Sequence, residues 1–486
     1  MQKMESIWSK TAQIREFPTL SEDLSVEVAV IGGGLCGILT AFRLQELGIR
    51  TVVLEASRIG CGQTKNTTAK ITSQHNLIYD RLCRKFSIEK AQQYAYANQR
   101  AIEEYRRIIA QGIDCQFEER PACLYSTLAD DVPLLQQELA TVQKLGIVSD
   151  YLTESSLPFA IAGGIRFLHQ AQFHPLLFLR AIAEPLTIYE NTPVKSVEGH
   201  RILAERGTVT AEKIVFATHF PFLNTPGYYF ARMHQERSYV LALENAGELD
   251  GMFLGIDGNG LSFRNSGKYL LLGGGGHRTG ENRAGGKYDF LRTKAAELFP
   301  GSTEVAYWSA QDCVTLDGVP YIGQFSASTP DWFVATGFGK WGMTSSMVSA
   351  LLLSDLITGV QNPWEEVYSP QRFTPAASLK PLLAEGGQAV KGISRELLAP
   401  PRAEFDALPS GHGGIVECGG EKMGVYKDEQ GQVFVVSSRC PHLGCQLEWN
   451  PDEKSWDCPC HGSRFDFHGN LIDNPAQTNL EDAGDA

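Results

Sequence analysis

The spacing of apolar and polar positions changes character several times along this chain of 486 residues. VEVAVI (26–31) is an unbroken β-branched and apolar run, which predicts a buried parallel strand. LCGILTAFRLQELG (35–48) has helical spacing and a stop at Gly48, and IRTVVLE (49–55) predicts a second buried strand. Residues 86–111 predict a long helix. TIYENTPVKSVEGHRILAERGTVTAEKIVFATH (187–219) reads as strand, strand, turn, strand, its apolar run stopping at Ala217 and Thr218. LLLGGGGHRTG (270–280) reads as a strand end and turn. DWFVATGFGKWGMTSSMVSALLLSDLITG (331–359) reads as strand, glycine-rich turn and apolar helix, which places a second helix N-terminus against a ligand. After residue 361 the rhythm is lost. Pro363, Pro370, Pro375, Pro381, Pro400, Pro401 and Pro409 mark a connector, with LKPLLAE and SRELLA as short helices. From Gly414 short strands resume, and residues 428–431 predict a hairpin turn.

Between the first strand and the first helix stands Gly32-Gly33-Gly34-Leu35-Cys36-Gly37, a G-x-G-x-x-G pattern. Gly32 permits the tight turn, Gly34 lets the backbone approach a pyrophosphate, and Gly37 lets helix and strand pack closely. Phosphates are favoured at the helix N-terminus, where N–H groups and the dipole point outward. Glu55 closes the second strand, where it accepts from ribose hydroxyls. The polar loop after it, SRIGCGQTKNTTAKITSQH, is unsuited to a regular strand. It lines the far end of a dinucleotide and contributes Ala56, Thr64, Lys65, Thr67 and Thr68.

Composition narrows the classes. The net charge of -13 comes with no Lys/Arg cluster, which excludes a nucleic-acid binder. No apolar run reaches 18 residues, so no membrane span is expected. The N-terminus has no apolar signal core, and the expected location is cytoplasmic. Of eleven cysteines, seven are scattered and read as free thiols; four lie between 440 and 460.

Residues 25–365 resemble the flavin-dependent amine oxidoreductases of the D-amino acid oxidase, glycine oxidase and sarcosine oxidase superfamily. The resemblance rests on VAVIGGGLCGILTAFRLQELGIRTVVLEA, the FHPLLFLRAIA and VKSVEG pair, KIVFATH, T-x-D-G-V-P-x-I-G (315–323) and GFGKWGMT. It implies non-covalent FAD in an α/β Rossmann-type domain, with a mixed-sheet substrate domain inserted into it. The expected FAD segments are about 25–80, 160–230 and 305–365, and the substrate segments about 81–159 and 231–304. Gly337, Gly339, Lys340, Trp341, Gly342, Met343 and Thr344 fall near the flavin, and the backbone of Val194 near the adenine. Two departures stand out. Many relatives carry Arg five residues before the Asp of T-x-D, where this chain has Asp312. Cys313 is out of register for covalent flavin attachment and reads as a buried thiol. For the substrate, Tyr239, Trp308 and Trp341 are candidates to cage an alkylammonium, with Arg278 to hold a carboxylate and His277 beside it. Each of these also has a plain structural reading, as core aromatics or a loop brace. Sarcosine-oxidase relatives carry a lysine for reaction with oxygen just before a strand-end histidine; residues 270–273 have none, which favours a dehydrogenase.

The last segment carries six potential metal ligands, in CPHLGC and CPCHGS. Two CxxC pairs would suggest structural zinc. The pairs here are Cys440-x-His442 and Cys458-x-x-His461, which match a [2Fe–2S] centre in which two histidines replace two cysteines on one iron. Residues 410–482 resemble the Rieske family through C-P-H-L-G-C, C-P-C-H-G-S-R-F and G-x-x-x-x-N-P-A (469–476). The resemblance implies a C-terminal all-β Rieske domain (410–486) behind a linker (366–409), with Cys445 and Cys460 paired as a disulfide. Ser463 is placed as a donor to a cluster sulfur. Phe465 stands where high-potential members have Tyr, so one hydroxyl donor is missing and an intermediate potential is expected.

A flavin takes two electrons at once and a Rieske centre carries one. The expected function is a dehydrogenase that oxidises an amine or amino-acid-like substrate and passes electrons singly to a carrier protein or quinone-like acceptor. The alternatives are a reductase or relay fed by a ferredoxin-like donor.

Overall fold

In the computed structural model of the chain, residues 4–258, 260–372, 378, 408–418 and 420–481 are described. Most of the proline-rich connector, including its two expected short helices, lies outside them.

The first sheet has eight strands. Its centre is the buried run Leu24–Ile31, parallel to Thr51–Leu54 on one side and to Thr208–Phe216 on the other. Thr187–Tyr189 extends one edge. The second half of Thr208–Phe216 pairs in parallel with Thr329–Thr336, which carries Tyr321–Ser326 antiparallel outside it. The helices Leu35–Glu46 and Gly342–Thr358 pack against each other over this sheet, and Ile88–Ile109 packs on the latter. Ile88–Ile109 starts at Ser87, whose hydroxyl accepts from Lys90 N–H. It buries Ala91, Tyr94, Ala95, Asn98, Ile102 and Tyr105, a stripe spaced by three and four residues.

The second sheet also has eight strands, in the order Thr303–Thr315, Met233–Glu244, Tyr269–Arg278, Ser262–Ser266, Met252–Gly255, Ala122–Ser126, Gly163–Phe167, Ser149–Leu152. Two strands differ from the sequence expectation. Gly163–Phe167 and nearly all of Thr303–Thr315 fall in segments assigned to the FAD domain, yet their ladder partners lie in this second sheet. Apolar alternation identifies a strand but not the neighbour that takes its hydrogen bonds. The glycine-rich stretch also differs. It continues as strand to Arg278, with one extra residue between the pairs Arg237↔His277 and Tyr239↔Gly274. Gly275 takes the left-handed conformation this bulge requires, at φ +67.

This second sheet has two unlike faces. Val240, Ala242, Leu271, Ala306 and Trp308 join the core shared with the flavin-side helices. Their neighbours Tyr239, Leu241, Leu243, Leu270 and Leu272 pack instead with Tyr288, Leu291 and Phe299 around the helix Lys287–Leu298.

The C-terminal domain has a three-stranded sheet (His412–Cys418, Glu421–Lys427, Val433–Ser437) and a four-stranded one (Glu448–Asn450, Ser455–Asp457, Arg464–Asp466, Leu471–Asp473). Asp428 makes the hairpin turn by accepting from Gln430 and Gln432 N–H. Trp449, Trp456 and Phe465 fill its core beside the four clustered cysteines. No helix among the described residues is long and apolar enough to cross a membrane.

Candidate functional site

The glycine turn is built as a cradle. A Cβ at Gly32 would lie 2.4 Å from Ala217 O, and one at Gly37 would lie 1.9 Å from Gly32 O. Both positions are closed to any side chain. A Cβ at Gly34 would meet only Thr64 Oγ1 at 3.5 Å, and at Gly62 and Gly342 nothing within 4 Å. These three glycines border open space, and neither the helix from Leu35 nor the helix from Gly342 has a side-chain cap at its start. Two helix N-termini with no cap from the residue before them, beside bare backbone, suit a pyrophosphate. Glu55 orders the turn, accepting from Gly33 N–H (2.7 Å) and Ser57 N–H (2.9 Å), while Thr64 Oγ1 accepts from Leu35 N–H (2.9 Å). Burial pushes the Glu55 carboxyl up, opposed by these N–H groups. Cys36 is buried inside the helix, its thiol pushed up to about 12 by burial. Ala56 and Lys65 lie on the same loop. Thr67 O accepts from Trp8 Nε1, and Thr68 O from Arg264. Val194 opens the strand Val194–Glu198, and Ala217 and Thr218 follow Thr208–Phe216.

On the glycine-rich side, Gly337 and Gly339 are left-handed, at φ +74 and +54. Trp341 stacks on His75, with centroids 4.7 Å apart and planes 18° apart. His75 went unnoticed in the sequence, where it merely ends a polar loop. It is buried, contacts Tyr94 Oη (2.6 Å), Thr72 O (2.8 Å) and Thr344 Oγ1 (3.1 Å), and burial pushes its imidazole down to about 3. Met343 O accepts from Tyr105.

The substrate candidates divide between the two faces of the second sheet. Tyr239 lies on the face away from the flavin-side core, its hydroxyl 3.0 Å from His277 Nε2, and His277 Nδ1 meets Arg278 O at 2.7 Å. Arg278 donates to Pro459 O and Cys460 O of the C-terminal domain. Tyr239, His277 and Arg278 therefore do not converge on a substrate space beside the dinucleotide cradle. The bulge at Gly275 sets His277 on the face of Tyr239 and leaves Arg278 opposite Glu236, because one extra residue reverses the side to which the following side chains point. Trp308 does lie on the flavin-side face, where Nε1 donates to Asn66 O (2.9 Å).

That face carries charges instead. Glu236 and Asp312 are register partners, and Lys340 Nζ lies 3.5 Å from Glu236 Oε2. Glu236 is held down to about 2, first by His234 and then by Lys340, against the opposing effect of burial. Burial pushes Asp312 up to about 7, although Lys340 draws it down. Cys313, one residue on, points into the core of the first sheet as a free thiol.

The C-terminal ligand loops are near copies. Gly444 N–H donates to Cys440 O, and Gly462 N–H to Cys458 O, each at 2.9 Å. Cys445 and Cys460 are bonded to each other and tie the loops together. The sulfurs of Cys445, Cys458 and Cys460 lie within 4.8 Å of one another, but the disulfide leaves only Cys458 of these three able to ligate. The Cys440 thiol is held down by Cys458 first, and also by His442 and Leu443 N–H and the Ser463 hydroxyl; Cys458 is pushed up by the same pairing. The rings of His442 and His461 are perpendicular, 4.9 Å between centroids. His442 Nδ1 is buried with no hydrogen-bond partner. Burial holds this imidazole down at about 4, hence neutral, as a ligand must be. An orphaned nitrogen beside two coupled thiols fits an iron–sulfur cluster and leaves no other use for that atom. Ser463 Oγ accepts from Ala476 N–H, which leaves its own proton for a sulfur.

The two domains meet along the outer face of the second sheet. Gln235 Nε2 donates to His461 O (2.7 Å) and Asn474 O (3.1 Å), and Gln311 Nε2 to Gly462 O (2.8 Å). Arg237 donates to Glu453 (2.6 Å), which also pairs with Arg464; all three are buried. Asp452 accepts from Asn282, Gly286 and Lys287.

Comparison with known proteins agrees with both halves. Residues 27–356 match the family model "FAD dependent oxidoreductase", and residues 401–483 match "Rieske [2Fe-2S] domain". YhfW of Bacillus subtilis (strain 168), a protein named for a Rieske 2Fe-2S centre, is 38% identical over 97% of this chain and 96% of its own. Gamma-glutamylputrescine oxidoreductase of Escherichia coli (strain K12) is 22% identical over 77% of this chain and 91% of its own. The crystal structure of glycine oxidase from Geobacillus kaustophilus superposes with a TM-score of 0.62 at 20% identity, over 72% of this chain and 99% of that one. The chain belongs to the FAD-dependent oxidoreductases of the D-amino acid oxidase type and carries a C-terminal Rieske domain. Its cofactors are FAD and a [2Fe–2S] cluster.

Proposed function

We propose that the chain oxidises an amine or amino-acid-like substrate and passes the electrons singly, by way of the Rieske centre, to an external acceptor. When bound, FAD supplies acceptance of an electron pair and the cluster supplies carriage of one electron at a time. Cys440, Cys458, His442 and His461 hold the cluster. Gly32, Gly34, Glu55, Thr64 and the turn 337–344 hold FAD.

One observation carries this reading. Gln311 donates its backbone N–H to Gln63 Oε1 (2.7 Å), on the loop of Thr64, while its side chain donates to Gly462 O. A single residue thus joins the dinucleotide loop to the loop of His461, within one chain. On the flavin-side face, Glu236 and Asp312 suit an ammonium group, and Lys340 suits a carboxylate. The relationship to gamma-glutamylputrescine oxidoreductase supports an amine as the substrate class.

The missing lysine at 270–273 no longer argues against an oxidase. Lys70 Nζ reaches Ser262 Oγ (3.2 Å), which lies 3.2 Å from a Cβ built at Gly273. Another segment delivers a lysine beside that stretch.

The test is an anaerobic screen of amines and amino acids with the purified chain, watching flavin absorbance and then the cluster's EPR signal. Bleaching by a substrate, followed by appearance of the reduced-cluster signal, is the expected result. Bleaching only by a reduced ferredoxin-like protein would reverse the direction of flow and overturn the reading.

A further inference from the structure

His442 has a protein partner at its second nitrogen. Nε2 lies 2.7 Å from Asn224 Oδ1, an atom of the flavin domain separated from it by 218 positions in sequence. We propose that Asn224 is part of the Rieske centre: it accepts the Nε2–H of His442, so that docking on the flavin domain, and not the Rieske fold alone, sets how tightly the cluster holds its electron. This rests on the reading of His442 as an iron ligand.

The geometry fixes the roles. With Nδ1 buried and without a partner, Nδ1 is the nitrogen left for iron, so Nε2 carries the proton and Asn224 must accept through its oxygen. Asn224 is held in place to do so. Tyr228 N–H donates to its carbonyl (3.0 Å), and the Rieske domain grips the same segment. Asn474 Nδ2 donates to Thr218 O (2.9 Å) and Phe220 O (2.8 Å), and Gln477 Nε2 donates to Phe222 O (3.3 Å). Phe230, six residues on, sets its ring edge-on to both histidines, at 6.2 Å from His442 and 5.6 Å from His461. The contact is therefore shielded by an aromatic ring, where a hydrogen bond has more electrostatic effect than in water.

The sign of the effect follows. Accepting a proton from one ring nitrogen makes the other a stronger donor to the metal. A more strongly donating imidazole favours the oxidised cluster and lowers its reduction potential. Asn224 is a positioning residue in this sense, since it acts through His442 and touches no reacting atom.

The experiment is an EPR-monitored redox titration of the full-length, cofactor-loaded chain with three substitutions. Asn224→Leu removes the acceptor and should shift the reduction equilibrium toward the reduced cluster by roughly tenfold, ~59 mV for one electron. Asn224→Asp keeps the acceptor and adds charge, and should shift it the opposite way. Gln477→Ala trims the same interface without touching a histidine and should leave the potential in place. An Asn224→Leu protein that is loaded, resists trypsin like the parent and has an unchanged potential overturns the proposal. So does an Asn224→Asp protein with a raised potential, whether or not Asn224→Leu stays docked. Failure of the underlying reading looks different: His442→Ala would then keep its [2Fe–2S] signal. Loss of that signal in His442→Ala, with no shift in either Asn224 variant, sinks the present inference alone.

Discussion

One sheet serves two different partners on its two faces. On the flavin side, Trp308, Val240 and Ala306 merge with the helical core, and near them stand Glu236, held by Lys340 and His234, and Asp312, which has no ion pair among the described residues. On the outer side, Gln235, Arg237 and Gln311 bond to one another and to the Rieske domain, and only Arg237 Nε among their side-chain polar atoms is left buried without a partner. These residues alternate along the same two strands. The difference shows how to tell a face that receives a small molecule from one that receives a domain. The first keeps a carboxyl group in reserve, and the second uses up nearly all of its polar groups, because burial leaves no water to satisfy what remains.

The most damaging way to break this pairing is to remove the cluster and leave the sheet intact. In Cys440→Ser or His461→Ala we expect the [2Fe–2S] EPR signal to vanish and turnover with a one-electron acceptor to fall by about 100-fold or more, an effect of some 2.7 kcal/mol or greater at 1.36 kcal/mol per decade. Anaerobic flavin reduction by substrate should continue at a near-normal rate. Equal turnover by the cluster-free protein would show the outer face to be structural only.

The next test acts on the interface. Arg237→Met leaves the buried Glu453 with Arg464 as its remaining ion-pair partner among the described residues. Breaking a buried pair costs about 3–5 kcal/mol, reduced here by the surviving partner. Trypsin should then release the Rieske domain from the connector sooner than in the parent, with flavin content unchanged.

On the flavin-side face the expected effect is one of pH. Asp312 is raised to about 7, against about 3.9 for an unfolded Asp. A raised group contributes stability in full below its unfolded value and loses it as pH rises toward its folded value. Asp312→Asn should therefore melt close to the parent at pH 4 and above it at pH 8. A difference that grows on acidification would mean that Asp312 is ionised in the fold. The smallest effect belongs to Tyr239→Phe. It loses the hydrogen bond to His277, worth about 1 kcal/mol of stability, and should leave the KM for substrate unchanged because Tyr239 faces the other way.

Much of this architecture was legible in the sequence for a local reason. G-x-G-x-x-G, Glu55 and the two Cys/His pairs act over short stretches, so spacing alone carries their geometry. The sheet faces were not legible, since the pairing of Tyr239 with Gly274 depends on a partner strand 35 positions away and on one bulged glycine. Nor does the sequence show that Arg278, a sound carboxylate ligand by chemistry, donates to Pro459 O and Cys460 O of the other domain. The docking of Asn224 on His442 and of Gln235 on His461 had no sequence signal at all. An Asn or Gln is common on any surface, and nothing local marks a contact between residues 218 or 226 positions apart.

The Arg237–Glu453–Arg464 triad has a consequence for ionic strength. Dissolved salt screens charges that ions can approach, over a length of about 8 Å at 0.15 M. These three side chains are 0–5% exposed, so mobile ions have almost no access to them. Raising salt should therefore leave the passage of electrons between the two halves of the chain unaffected, while it slows delivery to any charged acceptor that must arrive by diffusion. Only the second of these two transfers would respond to the composition of the surrounding solution.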